Sequence, residues 1–510
     1  MEIIVYQKLK WILSNFLLTF FLVLTIGCKP KDLNNLCDSK SDAFVPTLIA
    51  QTLTASGSYH CGYKLLNVPP FGYRYSTYRL YLNFPVSILP IHRTDSSYAI
   101  QGELPTGLSF DTATGEIKGT TAALASPRNL TITRNSPGFG IVNITLQVVD
   151  TNPTFVYGQF GSFTCGATYN DGTCTNSTNP TNQNLSSPYG VTSDSFGGVY
   201  IAGLNRILYY HPNTNVSSLV YGQYGNFNCD IANVIPGSCS IDSITAGGFS
   251  SLRGIAIDKD NGLYATDLGN QRVLYYPYLS PTPTRVYGQT SFTTTGTGTS
   301  ETQFSSPRAV TLAPDGGLFV ADANNIRVLY FPPGSTTATR VYGQDNFSTI
   351  QVGPSQTRFN GPFGMAADSE GGLYVADSPN NRVLYFPVGS TTASRVYGQI
   401  NFTNANIGSL SNNLNNPTWI ALDQSENLYV SDSTNNRVVV FPKSNQSTGH
   451  TAVAVFGQYN NLSCAATNNV GGCTGGSVNA LGLFTPSSIS FNQQGQLYIN
   501  DQGNNRILVY

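Results

Sequence analysis

Charged residues and helical periodicity are both scarce in this chain, and each shortage excludes a class of protein. Only 10% of the 510 residues are charged, and the formal net charge is −1. No basic run occurs, so the electrostatic signature of a nucleic-acid-binding protein is missing. Long apolar stretches with a period of about 3.6 residues are nearly absent, which disfavours a helical protein. Gly, Ser, Thr, Asn and Tyr are abundant instead, and this composition favours many short strands joined by polar turns.

The N-terminus is the exception to this polar composition. Lys8 and Lys10 precede an apolar run over residues 11–26, which Gly27 and Cys28 follow. A basic start, a short apolar run and a small residue before a cut site predict a signal peptide over residues 1–27. Cys28 resembles the lipidated cysteine of spirochaete lipoproteins, in which the thiol is diacylated and becomes the mature N-terminus. The alternative is an uncleaved membrane anchor, because the run is borderline in length for spanning.

The remaining cysteines fall into neighbouring pairs. Three pairs follow the same Tyr-Gly-Gln or Phe-Gly-Gln element, which favours local pairing over the other combinations and leaves the first two cysteines for each other. The predicted disulfides are Cys37–Cys61, Cys165–Cys174, Cys229–Cys239 and Cys464–Cys473. A gap of about nine residues is too long for typical zinc-ligand spacing, so no metal site is expected at these pairs. Disulfides persist in oxidising compartments, so we expect a lipid-anchored protein of the bacterial cell envelope, in the periplasm or at the outer membrane and cell surface.

Two segments precede the repeated part of the chain. Residues 28–75 are expected to form a tether with a short helix within 41–53. Residues 76–150 alternate apolar and polar residues, and the stretch 104–120 contains a tight turn over 111–115 between two strands. This stretch resembles the immunoglobulin-like, cadherin-related modules of bacterial surface proteins, which share the pattern LPxGLxxDxxTGxIxGT. The resemblance implies a small β-sandwich that acts as a spacer.

Residues 151–510 contain an internal repeat. A Val-Tyr-Gly-Gln or Val-Phe-Gly-Gln landmark occurs six times, beginning at Val156, Val220, Val286, Val341, Val396 and Val455. Six copies of a second block accompany it, the clearest over residues 362–387. Each block holds three apolar runs and the landmark adds a fourth, so each repeat of about 55–70 residues predicts a four-stranded propeller blade. The block GLYVADSPNNRVLYF and its siblings resemble NHL repeats, which implies a six-bladed β-propeller.

The order of the repeated elements predicts how the ring closes. The landmark at Val156 precedes every block, and the last block has no landmark after it. The sixth blade therefore lacks an outer strand of its own, and the segment around residues 155–159 can supply it. Such closure removes an open sheet edge. The predicted fold is all-β: a six-bladed propeller closed by an N-terminal strand and preceded by an Ig-like sandwich.

The connectors between blades are unequal in length. Residues 290–306, 345–361 and 400–416 number about 17 each, whereas 160–187, 224–251 and 459–485 number about 27 or 28 and contain the cysteine pairs. The long connectors leave blades one, two and six, which are neighbours in a closed ring, so we expect them together on one face. Long loops on a rigid scaffold often carry function. The candidate binding residues are Tyr169, Asn170, Asp171, Asp230, Ile231 and Asn233. The alternative is that the cysteine pairs only stabilise long loops.

An Asp and an Arg recur in five blades, and we interpret them as structural. Functional sites break symmetry, whereas these residues repeat at the same place. The set comprises Asp267, Arg272, Asp322, Arg327, Asp377, Arg382, Asp432, Arg437, Asp501 and Arg506. Blade one has Arg206 but lacks the Asp and is two residues shorter. It is interpreted as a degraded closing blade, with an opening for a ligand as the alternative.

No catalytic constellation stands out in the repeated region. Six-bladed propellers include metal-dependent lactonases and an amidating lyase similar to NHL proteins, which place metal ligands in the central channel. Only His211 and His450 occur within the propeller, and no catalytic residues and no resident metal or cofactor are predicted. The predicted function is that of a monomeric binding scaffold, not an enzyme, that recognises a protein, peptide or glycan and meets the membrane through its lipid. The alternative is a calcium-dependent lactonase- or lyase-like enzyme.

Overall fold

The structure is a computed structural model that describes residues 59–60, 63–64, 71–91, 97–135, 140–241, 244–443 and 447–510. The predicted signal peptide, Cys28, the Cys37–Cys61 pair and the predicted helix within 41–53 lie outside these residues. Two short antiparallel strands come first, β1 (Tyr59–His60) and β2 (Tyr63–Lys64). No helix in the described part of the chain has the length and apolar character needed to cross a membrane.

The next seven strands form a two-sheet sandwich. They are β3 (Thr77–Tyr81), β4 (Pro85–Ile88), β5 (Tyr98–Gln101), β6 (Leu108–Phe110), β7 (Ile117–Thr120), β8 (Ala125–Arg134) and β9 (Gly140–Val149). One sheet has the order β3-β9-β8-β5 and the other β4-β7-β6. Alternate residues of β8 and β9 are buried, as the period of two predicts, and Ile132 and Leu146 are fully enclosed. Phe71 and Tyr73, which the sequence analysis assigned to the tether, pack in the same core.

Six four-stranded sheets follow, and each is a blade. Blade one holds β11 (Gly190–Ser193), β12 (Val199–Ala202), β13 (Ile207–Tyr210) and β14 (Leu219–Tyr221). Blade two holds β15 (Leu252–Ile257), β16 (Leu263–Asp267), β17 (Arg272–Tyr276) and β18 (Arg285–Tyr287). Blade three holds β19 (Pro307–Leu312), β20 (Leu318–Asp322), β21 (Arg327–Phe331) and β22 (Arg340–Tyr342). In each blade the strands lie in chain order from the channel outward.

The remaining blades repeat this plan. Blade four holds β23 (Pro362–Ala367), β24 (Leu373–Asp377), β25 (Arg382–Phe386) and β26 (Arg395–Tyr397). Blade five holds β27 (Pro417–Leu422), β28 (Leu428–Asp432), β29 (Arg437–Phe441) and β30 (Ala454–Phe456). Blade six holds β31 (Pro486–Phe491), β32 (Leu497–Asp501) and β33 (Arg506–Val509). The second strands of blades two to six are buried at every position, because each sheet packs between two neighbours.

The outer strand of blade six comes from the start of the repeated region. Strand β10 (Phe155–Tyr157) pairs antiparallel with β33, and the Thr154 amide donates to the Val509 carbonyl at 2.6 Å. The inner strand of blade one contacts the inner strands of blades two and six, so the inner strands form a continuous ring. The predicted fold class, a six-bladed propeller closed by an N-terminal strand after an Ig-like sandwich, is confirmed.

The sandwich packs against blades five and six, although the sequence predicted a spacer. The Tyr81 hydroxyl accepts a hydrogen bond from the Leu497 amide at 3.1 Å, and the Phe84 ring lies 5.5 Å from the Phe456 ring. Gln424 lies in the turn between strands one and two of blade five and bonds the backbone of β3. Its Oε1 accepts a hydrogen bond from the Arg79 amide and its Nε2 donates one to the Thr77 carbonyl, both at 3.0 Å. The side chains of Tyr81 and Phe84 are both buried in the propeller core. The sandwich therefore lies at blades five and six on the propeller face that carries the turns between strands one and two.

Candidate ligand-binding face

The face opposite the sandwich carries the blade connectors. Each connector runs from an outer strand to the next inner strand, so the connectors and the first residues of the inner strands lie on this side, which we call the connector face. Three of the predicted disulfides are present in the described residues: Cys165–Cys174, Cys229–Cys239 and Cys464–Cys473. Each closes a loop of nine or ten residues within a long connector. The long connectors were expected to leave blades one, two and six, but they leave blades five, six and one, because the strand before each of them is the outer strand of those blades.

The repeated glutamine of each landmark also holds its connector in place. In blade three, Gln344 donates from Nε2 to the carbonyls of Ile326 and Gln351, both at 2.9 Å. The same pair of bonds, to the turn after strand two and to the connector, is made by Gln159, Gln223, Gln289, Gln399 and Gln458. The preceding glycine is needed for close packing, since Gly288 has a φ of +84° and a Cβ there would lie 2.1 Å from Phe304. The glutamine of each landmark therefore fixes the position of the connector that follows it.

The repeated Asp and Arg form buried ion pairs beneath the connectors. In each of the five blades the Arg Nε lies 2.7–2.8 Å from an Asp Oδ2, and both side chains are fully buried. The rest of the guanidinium donates to connector carbonyls; Arg382, for example, bonds those of Ser355 at 3.1 Å and Arg358 at 2.8 Å. Burial raises the pKa of Asp377 and outweighs the opposing effect of Arg382. These pairs link two connectors to one blade and present no group to a ligand.

Blade one obtains its carboxylate from a connector. Asp230, which the sequence analysis proposed as a binding residue, lies 4.0 Å from the Nε of Arg206, and both side chains are almost fully buried. The Asn205 amide and the Tyr169 hydroxyl also donate to the Asp230 carboxylate. The blade is therefore neither degraded nor open at this point. Periodicity could not show this, because the replacement carboxylate comes from 24 residues further along the chain rather than from the repeated position.

Most of the other candidate binding residues also hold the loops together. Asn170 is buried and its Oδ1 accepts from the amides of Gly172 and Cys174, both at 2.9 Å. Asn233 forms two hydrogen bonds with Asn270, and the Ile231 carbonyl accepts from the glutamine of blade one. Tyr169 is partly buried against Arg206, whose guanidinium lies 5.8 Å from the ring centre.

Asp171 is the one exposed side chain of this set. Its carboxylate accepts hydrogen bonds from Thr173 and Thr175 at the tip of the loop. The hydrogen bonds from Thr173 lower the pKa of Asp171 to about 2. Asp171 therefore keeps its charge at neutral pH and is available to solvent.

Replacing Asp230 should affect stability. We expect Asp230→Ala to lower the free energy of unfolding by about 3 kcal/mol, because it leaves Arg206 buried without its carboxylate. The matched control is Asp171→Ala, which removes an exposed carboxylate and should change stability by less than about 1 kcal/mol. Equilibrium unfolding in urea measures both. Equal stability of the two variants would contradict the structural role of Asp230.

The six blades differ where the inner strands begin. In blades two to six the second residue of the inner strand lies at the entrance to the central channel, and in blade one the aligned residue directly precedes β11. They are Tyr189, Arg253, Arg308, Phe363, Thr418 and Ser487. We call this ring the channel mouth. It carries aromatic, cationic and hydroxyl side chains, in contrast to the uniform Asp and Arg below the connectors.

Trp419 crosses the channel below the mouth. It occupies the third position of the inner strand of blade five, and a Cβ on Gly254, in the opposite blade two, would lie 2.8 Å from the Trp419 Cη2 atom. The aligned residues of the other blades are Gly190, which begins β11, and Gly254, Ala309, Gly364 and Ser488. Small residues in five blades leave the space that one indole fills. The indole thus separates the mouth from the channel beneath it.

A cavity of about 350 Å³ lies on the other side of Trp419. Ile255, Val310 and Met365 line its wall, and Arg74 at the edge of the sandwich contributes to its far end. Asp423 also reaches this cavity, and burial raises its pKa to about 6. The cavity therefore lies between the indole and the sandwich, and the mouth is the part of the channel on the connector face.

Two arginines of the mouth are held against aromatic rings. The Arg253 guanidinium lies 3.7 Å from the Tyr189 ring centre and the Arg308 guanidinium 4.0 Å from that of Phe363. Burial lowers the pKa of both, and for Arg308 the charge of Arg253 lowers it further. No carboxylate among the described residues lies within ion-pair distance of either guanidinium. The mouth therefore concentrates positive charge on blades two and three.

The ring of residues at the channel mouth was not predicted from the sequence, although the repeat contains a signal for it. Alignment of the blocks at the start of the inner strands of blades two, three and four gives Leu-Arg-Gly-Ile, Pro-Arg-Ala-Val and Pro-Phe-Gly-Met, with Arg, Arg and Phe at the second position.

Models of two families match the chain. The family described as Putative Ig domain matches residues 68–148, and NHL repeat matches residues 359–386 and 414–441. The chain therefore contains an Ig-type module and NHL repeats, as predicted. Its lipoprotein character stays a prediction. No curated protein matches the chain.

Several solved structures are similar to this chain. A catalytically inactive virginiamycin B lyase from Staphylococcus aureus with quinupristin is 11% identical, with 81% of this chain and 99% of that one covered and a TM-score of 0.38. A protein of unknown function from Bacteroides thetaiotaomicron is 13% identical, with coverage of 87% and 98% and a TM-score of 0.46. A protein described as a gluconolactonase is 13% identical, with coverage of 64% and 88% and a TM-score of 0.38.

The prediction excluded enzyme activity for this chain, and that exclusion was wrong. A lyase and a protein described as a gluconolactonase are among the similar structures. The physical reason is that one fold hosts both enzymes and binding proteins, so the scarcity of histidine could not decide between them. Within the described residues, no group of three or more His, Cys, Asp or Glu side chains is placed to hold a metal ion.

Proposed function

We propose that this chain is an extracytoplasmic, lipid-anchored protein whose connector face binds a ligand at the channel mouth. The lipid is carried by Cys28, the chain is a monomer, and binding requires no cofactor. The ligand reaches the mouth between the disulfide-bonded connectors, which leave blades five, six and one. The three disulfides support a location outside the cytoplasm, because they persist in oxidising compartments.

One observation carries this proposal: the blades lose their symmetry on the connector face. Below the connectors, five blades share the same buried Asp–Arg pair. At the mouth and in the connectors, side chains and lengths differ from blade to blade. A ring of repeated blades needs no such difference for stability, whereas recognition of an asymmetric ligand does. Loops fixed by disulfides and glutamine bonds also lose little conformational freedom on binding, which favours affinity.

Connector exchange tests the proposal. The variant replaces residues 160–187 with the short connector 345–361 and residues 459–485 with 400–416, and keeps 224–251 because that loop holds Asp230. The full chain in detergent is applied to an array of glycans and peptides. We expect the parent to bind a member of the array and the variant to bind it at least about tenfold more weakly, a loss of about 1.4 kcal/mol.

The control exchanges one short connector for another, 290–306 for 400–416, and should bind like the parent. Melting temperatures of all three proteins establish that they are folded. Undiminished binding by the two-connector variant, or no binding by the parent, would contradict the proposed face.

A further inference from the structure

The two mouth arginines differ from the other arginines of the blades in what surrounds them. The five buried arginines of blades two to six each meet an aspartate. Arg253 and Arg308 instead meet an aromatic ring, and among the described residues neither has an acidic partner. The Nε of Arg308 is buried and has no hydrogen-bond partner in the structure. A buried donor without a partner costs free energy unless a ligand satisfies it.

Stacking prepares these guanidinium groups for a planar anion. The rings of Tyr189 and Phe363 cover one face of each group, at 3.7 and 4.0 Å, and so leave the N–H edges for a ligand. Arg253 uses one Nη1 bond for the carbonyl of the preceding residue, at 3.1 Å. A guanidinium binds a carboxylate through two parallel N–H bonds, and prior orientation reduces the entropy lost on binding. Two such groups on adjacent blades repel each other until an anion lies between them.

The opposite side of the mouth carries two hydroxyl groups, of which that of Thr418 donates to the carbonyls of Pro486 and Ser487. Ser487, on blade six, lies across the ring from Arg308, on blade three, and its buried Oγ has no hydrogen-bond partner. Thr418, on blade five, lies across from Arg253, and the indole of Trp419 crosses the channel one residue deeper. The mouth thus combines a cationic side, a hydroxyl side and an aromatic residue below. A ligand that matches all three carries a carboxylate, hydroxyl groups and an apolar ring face.

We propose that the channel mouth binds the carboxylate of an acidic sugar through Arg253 and Arg308, with the sugar hydroxyls directed towards Ser487. This inference rests on the proposed function, since it names the ligand class of the connector face. An acidic peptide supplies the carboxylate but lacks the ring of hydroxyl groups. A neutral sugar supplies the hydroxyls but leaves the two guanidinium groups without an anion.

Calorimetry with three probes tests this site in the full chain. The probes are a galacturonate trisaccharide, the same trisaccharide as its methyl ester, and a triglutamate peptide. We expect the acidic trisaccharide to bind at least about tenfold more tightly than either of the others, because only it combines charge with hydroxyl groups. Equal binding of the methyl ester or the peptide, or no binding of the acidic trisaccharide, would overturn the assignment.

Arginine variants locate the binding. Arg253→Gln and Arg308→Gln should each raise the Kd for the acidic trisaccharide by about tenfold or more. The matched control is Arg340→Gln, whose guanidinium lies over the Tyr330 ring at 5.1 Å but on the outer strand of blade three, away from the channel. Unchanged affinity in both mouth variants would overturn the arginine site. If the two-connector variant then still fails to bind the ligand found on the array, the connector face remains the binding face. If that variant binds the ligand like the parent, the connector face is excluded as well.

Discussion

Replacing residues 151–160 with a ten-residue Gly-Ser segment is expected to lower the free energy of unfolding of the propeller by at least about 5 kcal/mol. The replacement removes β10, in which Val156 and Tyr157 are almost fully buried, and each such side chain contributes about 1.5–3 kcal/mol. It also removes the Gln159 bonds to the last blade and leaves β33 as an open edge. The melting temperature should fall by about 10 °C.

A rearranged chain controls for the loss of the segment itself. In this variant the Gly-Ser replacement is kept and residues 151–160 are added after Tyr510 through a short linker, so that β33 continues into its own outer strand. We expect thermal unfolding to recover most of the lost melting temperature, because the same strand pairs with the same partner. A replacement variant that melts like the parent would show that β10 does not close the ring.

The second large effect is expected from the buried ion pairs. Arg382→Met should lower the free energy of unfolding by about 4 kcal/mol, because it leaves Asp377 fully buried without its cation. Connector carbonyls also lose their donors. The double variant Asp377→Asn/Arg382→Met should recover part of this loss, since no buried charge remains. Arg340→Met, at a half-buried arginine of an outer strand, is the control and should change stability by less than about 1 kcal/mol.

The pH dependence of the Arg382→Met variant gives a further check on this pair. Burial already raises the pKa of Asp377, and loss of the guanidinium raises it further. The folded variant then holds a proton at a pH where the unfolded chain has lost it, so its stability increases as the pH falls. The difference from the parent should therefore shrink between pH 7 and pH 4 in urea unfolding. A constant difference would mean that Asp377 is not the group left unpaired.

The sequence predicted the architecture well because the information is local and repeated. Each blade encodes four strands, and the position of the landmark at Val156 indicated the closing strand before the structure showed its pairing with β33. The three described disulfides followed from neighbouring cysteines in the long connectors. What the sequence could not indicate was contact between distant segments. The docking of Tyr81 and Phe84 of the sandwich into blades five and six is of this kind.

The residues predicted for binding lie on the connectors, and the structure shows most of them bonded within those loops. Asp230 and Asn233 are on the connectors, as expected, yet both bond to a blade and so hold a connector in place. Asp230 pairs with Arg206 of blade one, and Asn233 bonds Asn270 of blade two. Burial of a polar side chain depends on its partner, and the partner of Asp230 is Arg206 in another element. The channel mouth is assembled from one residue at the start of the inner strand of each of the six blades, and these residues are separated by 55–70 positions in the chain. Only the closed ring brings Arg253 and Arg308 together with Ser487.

Tryptophan fluorescence tests most directly whether the ligand enters the mouth. The chain has two tryptophans, Trp11 in the predicted signal peptide and Trp419, so Trp11→Phe makes the indole that crosses the channel the sole reporter whether or not the peptide is removed. Titration of this full-length variant with the acidic trisaccharide should give a saturable change in Trp419 emission, with the same Kd as calorimetry. Calorimetric binding with no change in Trp419 emission would place the ligand elsewhere and contradict the account.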